Sequence, residues 1–290
     1  QNNSGNILLY HVNQTYGPIQ DYSGTGNDGT GYLGDEKSFS KNTTLGPLMR
    51  SDSFDSFHAS SPSVLYNGTH YQMWYSGYET NILDKWQIGY ATSTDGINWK
   101  KENGQRPVLT YGISTQVDGV FEPSVYYLND TYHMWYIGIH SDGRYRIHYA
   151  TSPDGITWTK QNSGNSVLDL GAAGSFDSYH STAGSIYATE GNYSLFYTGS
   201  NGTVSQIGYA NSSDGITWTK QNSGKKVLSA ATFDVGHLNT PFVRYNGTQY
   251  EMWYHGRNKS TGASIGYATS SDGDNWVRAN NGNALLGPGA

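Results

Sequence analysis

Four copies of one signature, SxDGxxW, constrain this chain more than any single side chain does. They read STDGINW, SPDGITW, SSDGITW and SSDGDNW, with aspartates at Asp95, Asp154, Asp214 and Asp272, in steps of 59, 60 and 58 residues. A repeat of that length holding several short β-rich runs is the sequence form of a propeller, in which one blade buries its apolar faces only against its neighbours. Each copy carries the same companions in the same order: a PSV-like start, an MWY-type core, an IGYATS-type run, the SxDGxxW hairpin and a VL-like ending. In the first full copy these are SPSVLY, YQMWYSG, QIGYATS and the PVL around Val108, which predicts four strands, A to D.

Turn chemistry supports the strands. VLYNGTHYQMWY sets two β-rich runs about an Asn67-Gly68 pair, a strong hairpin signal. The matching AB turns are Asn129-Asp130, Gly191-Asn192 and Asn246-Gly247, and Asp-Gly recurs in every CD hairpin, where glycine takes positive φ readily. Trp99, Trp158, Trp218 and Trp276 are expected to pack between blades. The expected fold is all-β, a five-bladed β-propeller of four-stranded antiparallel blades forming one domain. Four clear blades fall at about 51–110, 111–170, 171–229 and 230–290. Residues 1–50 lack both MWY and SxDGxxW yet end in GPLMR, like the other strand D endings, and read as a degenerate fifth blade. The alternative for this segment is an extension whose NILLYHV run, Asn6 to Val12, pairs with a sheet edge on a neighbouring molecule.

Composition narrows the function. A net charge of −6 gives no support for nucleic-acid binding, and no apolar run approaches the length that spans a bilayer. The absence of cysteine removes disulfides and thiolate chemistry without deciding the compartment. A first residue Gln1 rather than methionine is read as a sign of processing. Ten Asn-x-Ser/Thr sequons, at Asn2, Asn13, Asn42, Asn67, Asn129, Asn192, Asn201, Asn211, Asn246 and Asn258, point to a glycosylated protein of the cell surface or extracellular space. Four of them fall on AB turns, which lie on one face of a propeller and would leave the other face open.

Through these repeats, residues 51–290 resemble the five-bladed propeller glycosidases, the arabinanase, xylosidase, invertase and levanase group. They look closer still to secreted propellers with MWY and SxDGxxW repeats and without the full catalytic carboxylate set. The resemblance implies three carboxylates entering the central channel from the starts of innermost strands: an aspartate, an aspartate and a glutamate in the first three blades. The matching positions here are Ser61, Glu122, Ala183 and Thr240, of which only Glu122 is acidic. Counting the N-terminal segment as the first blade puts Glu122 in the place of the family's acid and Ser61 in that of the second aspartate. Glycoside hydrolysis needs a second carboxylate to activate water or attack, and only Asp21, from an unrecognised position, is at hand to supply it.

A second constellation is D-x-x-H, seen as Asp55/His58, Asp177/His180 and Asp234/His237, with Asp118/Phe121 as an imperfect copy. It places His58, His180 and His237 at the channel mouth, where imidazoles bind a metal or a sugar. Repetition favours a structural role for the aspartates, because catalytic groups are needed once whereas turn aspartates recur. Residues that break the repeat are therefore the better ligand-binding candidates: Glu122, Glu79, His140, Arg144, Arg146, His148, His255 and Arg257. Glu79, Glu122, His140 and Arg257 are expected to converge with the three histidines on one pocket suited to sugars. No cofactor is expected, and no metal is assigned to a set of ligands. The reading is a secreted, glycosylated structural or glycan-binding propeller, with itself or glycans as partners and self-assembly through its N-terminal segment. A glycoside hydrolase with Glu122 as general acid, or a lectin, is the alternative.

Overall fold

The computed structural model describes residues 10–11, 54–79, 85–112, 119–189, 191–228, 233–258 and 262–287. After a two-residue strand β1 (Tyr10–His11), four blades follow in order. Blade I is β2 (His58–Tyr66), β3 (Tyr71–Tyr78), β4 (Gln87–Ser93) and β5 (Lys100–Lys101). Blade II is β6 (Gly119–Leu128), β7 (Thr131–Ile139), β8 (Tyr145–Ser152) and β9 (Thr159–Lys160). Blade III is β10 (His180–Thr189), β11 (Asn192–Ser200), β12 (Ser205–Ser212) and β13 (Thr219–Lys220). Blade IV is β14 (Gly236–Tyr245), β15 (Tyr250–Asn258), β16 (Gly262–Ser270) and β17 (Val277–Arg278). Within a blade every neighbouring pair is antiparallel, as the hairpin turns required. No helix among the described residues is long and apolar enough to cross a membrane.

Strand D comes in two pieces, a two-residue strand and then a single bridge: Ile88 to Leu109, Ile147 to Leu168, Ile207 to Leu228 and Ile265 to Leu286. Between the pieces lies one 3-10 turn, such as Asn162–Gly164, with Asn162 and Ser163 at positive φ. Blade IV therefore completes its own fourth strand from Val277–Arg278 and Leu286.

The SxDGxxW run is a self-contained turn. The Ser152 hydroxyl accepts from the Asp154 and Gly155 N–H groups, and Asp154 Oδ1 accepts from Ile156 and Thr157 at 2.8 and 2.7 Å. Gly155 sits at φ +76°, and Trp158 Nε1–H donates back to its carbonyl at 3.0 Å. The other three copies repeat this network. The MWY core alternates between two faces. Trp74 and Trp135 point to the following blade, where their indole N–H groups donate to Gly155 and Gly215 at 2.7 and 3.1 Å. Trp158, Trp218 and Trp276 meet Trp74, Trp135 and Phe196 edge-on, so they pack between blades as expected. Among the described residues Trp99 meets Tyr71 of its own blade, and the segment that precedes blade I lies outside them.

The last blade differs from the rest. Leu109, Leu168 and Leu228 are 5%, 2% and 3% exposed, because the next blade covers them, whereas Leu286 is 64% exposed. The proposed fifth blade, residues 1–50, lies outside the described residues except for Tyr10–His11. That strand pairs with Tyr66 and Leu65 of the chain's own β2, on the edge of blade I away from β3.

Candidate functional site

First strands of successive blades lie side by side, tied by the Val125 N–H to Ser63 Oγ at 2.9 Å and by Ser185 Oγ–H to the Val243 carbonyl at 3.1 Å. Each carries a bulge near its start, where pairing with the second strand shifts between Ser60/Ser63, Phe121/Ser124, Ala183/Ser185 and Asn239/Phe242. At three bulges a residue that is not glycine sits in the left-handed region: Ser61 at φ 49°, Glu122 at φ 50° and Thr240 at φ 44°. Such strain costs on the order of 1 kcal/mol and persists because the surroundings hold it. Here the holding contacts come from the preceding blade: the Glu122 N–H donates to Ser76 Oγ at 2.8 Å, and the Thr240 N–H to Thr198 Oγ1 at 3.0 Å. The bulge turns one side chain per blade out of the ladder, and Glu122 is the one carboxylate among Ser61, Glu122, Ala183 and Thr240.

The D-x-x-H aspartates are buried ion-pair centres. Asp55 accepts from Tyr75 Oη and Lys101 Nζ at 2.7 and 2.8 Å. Asp177 does so from Tyr197 and Lys220 at 2.9 and 2.6 Å, and Asp234 from Tyr254 and Arg278 at 3.1 and 2.7 Å. Each ties the connection before strand A to strands B and D of its blade. Burial first, then the adjoining carboxylate, pushes the Tyr75 and Tyr197 hydroxyls far above their usual range, so both stay protonated donors. The ladder corrects one assignment. His58 faces Tyr78 and Gly119 faces Ile139, so Gly119 holds the histidine place in blade II, while Phe121 stands level with Ser60. Asp118/Phe121 is therefore not a copy of the motif; Asp118 itself lies outside the described residues.

The histidines do not form a ring. His58 stacks on Tyr78 and meets Trp86 edge-on, with ring centroids 5.5 and 5.1 Å apart. His180 stacks on Tyr145 at 4.3 Å and accepts the Tyr145 N–H, and burial lowers its pKa. His237 Nδ1 is 3.4 Å from Ser205 Oγ. Among the described residues no three His, Asp or Glu side chains come together as metal ligands. The other candidates are spread over the blades: Glu79 is exposed after β3, Glu122 lies in the β6 bulge, and Arg257 is exposed in β15 opposite His237. His140, placed at the mouth from the sequence, is buried, with its Nε2 3.0 Å from Nε2 of buried His148.

Exposed and half-buried aromatic side chains from blades I to III form one run here. Strand A begins on the same face as the BC turns, and on it the ring contacts run without a break. They pass from Phe57 to Tyr78, Trp86, Phe121 and Tyr145, then to His180 and Tyr179, at centroid distances of 4.3 to 5.7 Å. Phe57 and Tyr179 are 59% and 41% exposed. The arc ends in a cleft of about 500 Å³ between blades II and III, lined by Arg144, Arg146, Asp169, Tyr179 and Asn201 together with the 170–178 connection. Its sequence signal was the aromatic just before the histidine position in two repeats, Phe57 and Tyr179. Of the sequons, Asn67, Asn129, Asn192 and Asn246 lie on AB turns, on the opposite face. Asn201 lines the cleft, Asn211 is half-buried in β12, and Asn2, Asn13 and Asn42 lie outside the described residues.

A profile of the β-1,4-mannooligosaccharide phosphorylase family matches residues 61–193, from the blade I bulge into blade III and including Glu122. An uncharacterised protein of Mycobacterium tuberculosis, found in two strains, is 33% identical over 117 residues, which is 39% of this chain and 37% of that protein. The chain thus matches well under two thirds of that relative's length. Solved structures of similar shape include a thermostable family-43 glycoside hydrolase with a TM-score of 0.60 at 19% identity, covering 79% of this chain and 74% of that one. A second comes from work on the GH130 family of mannoside phosphorylases, described as containing glycoside hydrolases that target β-1,2 mannosidic linkages in Candida mannan. Its TM-score is 0.60 at 20% identity, over 80% and 72% of the two chains. A third, solved as a complex with RGII, has a TM-score of 0.61 at 18% identity over 76% and 72%. These likenesses show the fold: the chain is a β-propeller, similar in shape to these glycoside hydrolases.

Proposed function

We propose that this chain binds glycans across the face on which strand A begins, without cleaving them. The observation that carries this reading is the unbroken aromatic arc from Phe57 to Tyr179. Pyranose rings present apolar C–H faces that stack on aromatic planes, while their hydroxyls need polar partners at the rim. Glycan-directed neighbours of the same fold support it. The four sequons on the AB turns fit an extracellular, glycosylated protein, with glycans at those four positions on the far face. Calorimetric titration with soluble plant and fungal polysaccharides, with reducing ends assayed in parallel, tests the reading. Saturable binding without release of reducing ends is expected; absence of binding to every polysaccharide contradicts it.

A second reading, glycoside cleavage, is favoured by Glu122, the acidic residue at a strained bulge within the family-profile match. Glu122→Gln separates the two: cleavage that depends on Glu122 establishes an enzyme, and unchanged binding by the variant favours a lectin. A structural role through self-association has its own observation, the side of blade IV at Leu286, which no described blade covers. A blade side that accepts the next blade is a head-to-tail contact and grows in one direction unless it closes. Electron microscopy of the purified protein should then show filaments or sheets, whereas single particles at all concentrations count against assembly.

A further inference from the structure

The cleft at the end of the aromatic arc has a chemistry that a neutral sugar does not need. Its two cations are in different states. Arg146, which stands where the other blades carry Gln87, Gln206 and Ser264, is held by both Asp142 oxygens at 3.1 and 2.8 Å. That pairing holds the Asp142 carboxyl well below its usual range and keeps the turn ordered. Arg144 forms no ion pair among the described residues. Its guanidinium lies over the Tyr179 ring, 5.5 Å from the centroid, with its edge left for a ligand. Asn201 Oδ1 accepts the Thr203 and Val204 N–H groups at 3.0 Å each, so that oxygen is engaged by its own loop. The lining thus centres on one half-buried guanidinium, in a chain whose net charge is −6. Asp169, which accepts from Ser166 Oγ, is an exposed carboxylate on the lining whose second oxygen suits a sugar hydroxyl.

We propose that this cleft is a subsite for the carboxylate of an acidic sugar, a uronic acid residue of a glycan lying along the aromatic arc, with Arg144, held over the Tyr179 ring, as its cation. A planar guanidinium matches a carboxylate in two parallel hydrogen bonds, and about 500 Å³ accommodates one or two pyranose rings. The inference rests on the glycan-binding reading and narrows its ligand.

The test is calorimetric titration of the full chain with tri-galacturonate, its methyl ester, a neutral mannotriose and inorganic phosphate, repeated with Arg144→Gln and Arg144→Lys. Tri-galacturonate should bind at least about 10-fold more tightly than its ester, and Arg144→Gln should remove that preference, since a desolvated charge-assisted pair is worth a factor of that order. Arg144→Lys should restore part of it, and thermal unfolding of each variant shows whether it is folded. Equal binding of acid and ester, or an acid preference that survives Arg144→Gln in a folded protein, overturns the subsite. Phosphate binding as tight as tri-galacturonate overturns it too, in favour of a plain anion site. Binding of mannotriose alone sinks the subsite and leaves the glycan-binding reading standing; binding of no sugar sinks both.

Discussion

His148 shows how one residue can depart from a repeat and acquire a property the others lack. Its counterparts are Gly89, Gly208 and Gly266, and at Gly89 an added Cβ would come within 2.6 Å of Phe54 and Tyr75. Blade II carries a histidine at this place, and His148 is buried, stacked on Tyr136 and paired with His140. Burial, reinforced by His140, pushes its pKa from 6.5 down to about 3. The folded state therefore keeps the imidazole neutral while the unfolded state protonates it, and stability falls as pH drops from 6.5 toward 3. Urea unfolding should lose on the order of a few kcal/mol over that window, beginning above the carboxylate range. The turn aspartates act lower: partial burial opposes the shift, yet N–H bonds from Thr157 and Ile156 hold Asp154 down to about 2. His148→Gln should flatten the stability slope between pH 6.5 and 4, and a slope equal to that of the parent protein would contradict this account. The sequence marked His140 and His148 as breaks in the repeat. That they face inward was not legible, because each is accommodated by the other, a pairing that only blade II carries.

At the scale of elements, two repeated devices hold each blade, and they should differ in strength. The SxDGxxW turn is near the surface, so Asp214→Ala removes hydrogen bonds to Ile216 and Thr217 and is expected to cost about 1–2 kcal/mol. The Asp177 centre is buried, so Asp177→Asn leaves the Lys220 ammonium without its counter-charge and should cost about 3–5 kcal/mol. Denaturant midpoints of the two variants check the order; a larger effect at Asp214 would reverse the assignment of which device is structural cement. Strand order and hairpins were legible because alternation and Asn-Gly or Asp-Gly turns are local signals. The split of strand D around its 3-10 turn was not, since QNSG and ENGQ read equally well as plain loops. The Asp118/Phe121 assignment failed for a related reason: spacing within a motif does not reveal the ladder register, which Ile137 and Ile139 set from across the sheet.

For the whole molecule, the four described blades stack in one direction: blades I to III each give an indole or phenyl group to the next blade, which seals one leucine of the blade before it. Leu168→Ala should then cost about 2–5 kcal/mol, whereas Leu286→Ala should change stability by less than about 0.5 kcal/mol. Equal costs would mean that something covers blade IV in solution. The propeller itself was legible from the period of the repeat. The aromatic arc was not, because its side chains come from different blades and meet only once the blades are side by side. The claim that the arc's face takes a glycan is tested most directly by oxidative footprinting of the protein with and without a saturating polysaccharide. Protection of Phe57, Trp86, Tyr145 and Tyr179, with Tyr66 and Tyr127 beside the AB turns unchanged, is the predicted result. Protection confined to the AB-turn face, or none at saturation, would contradict it.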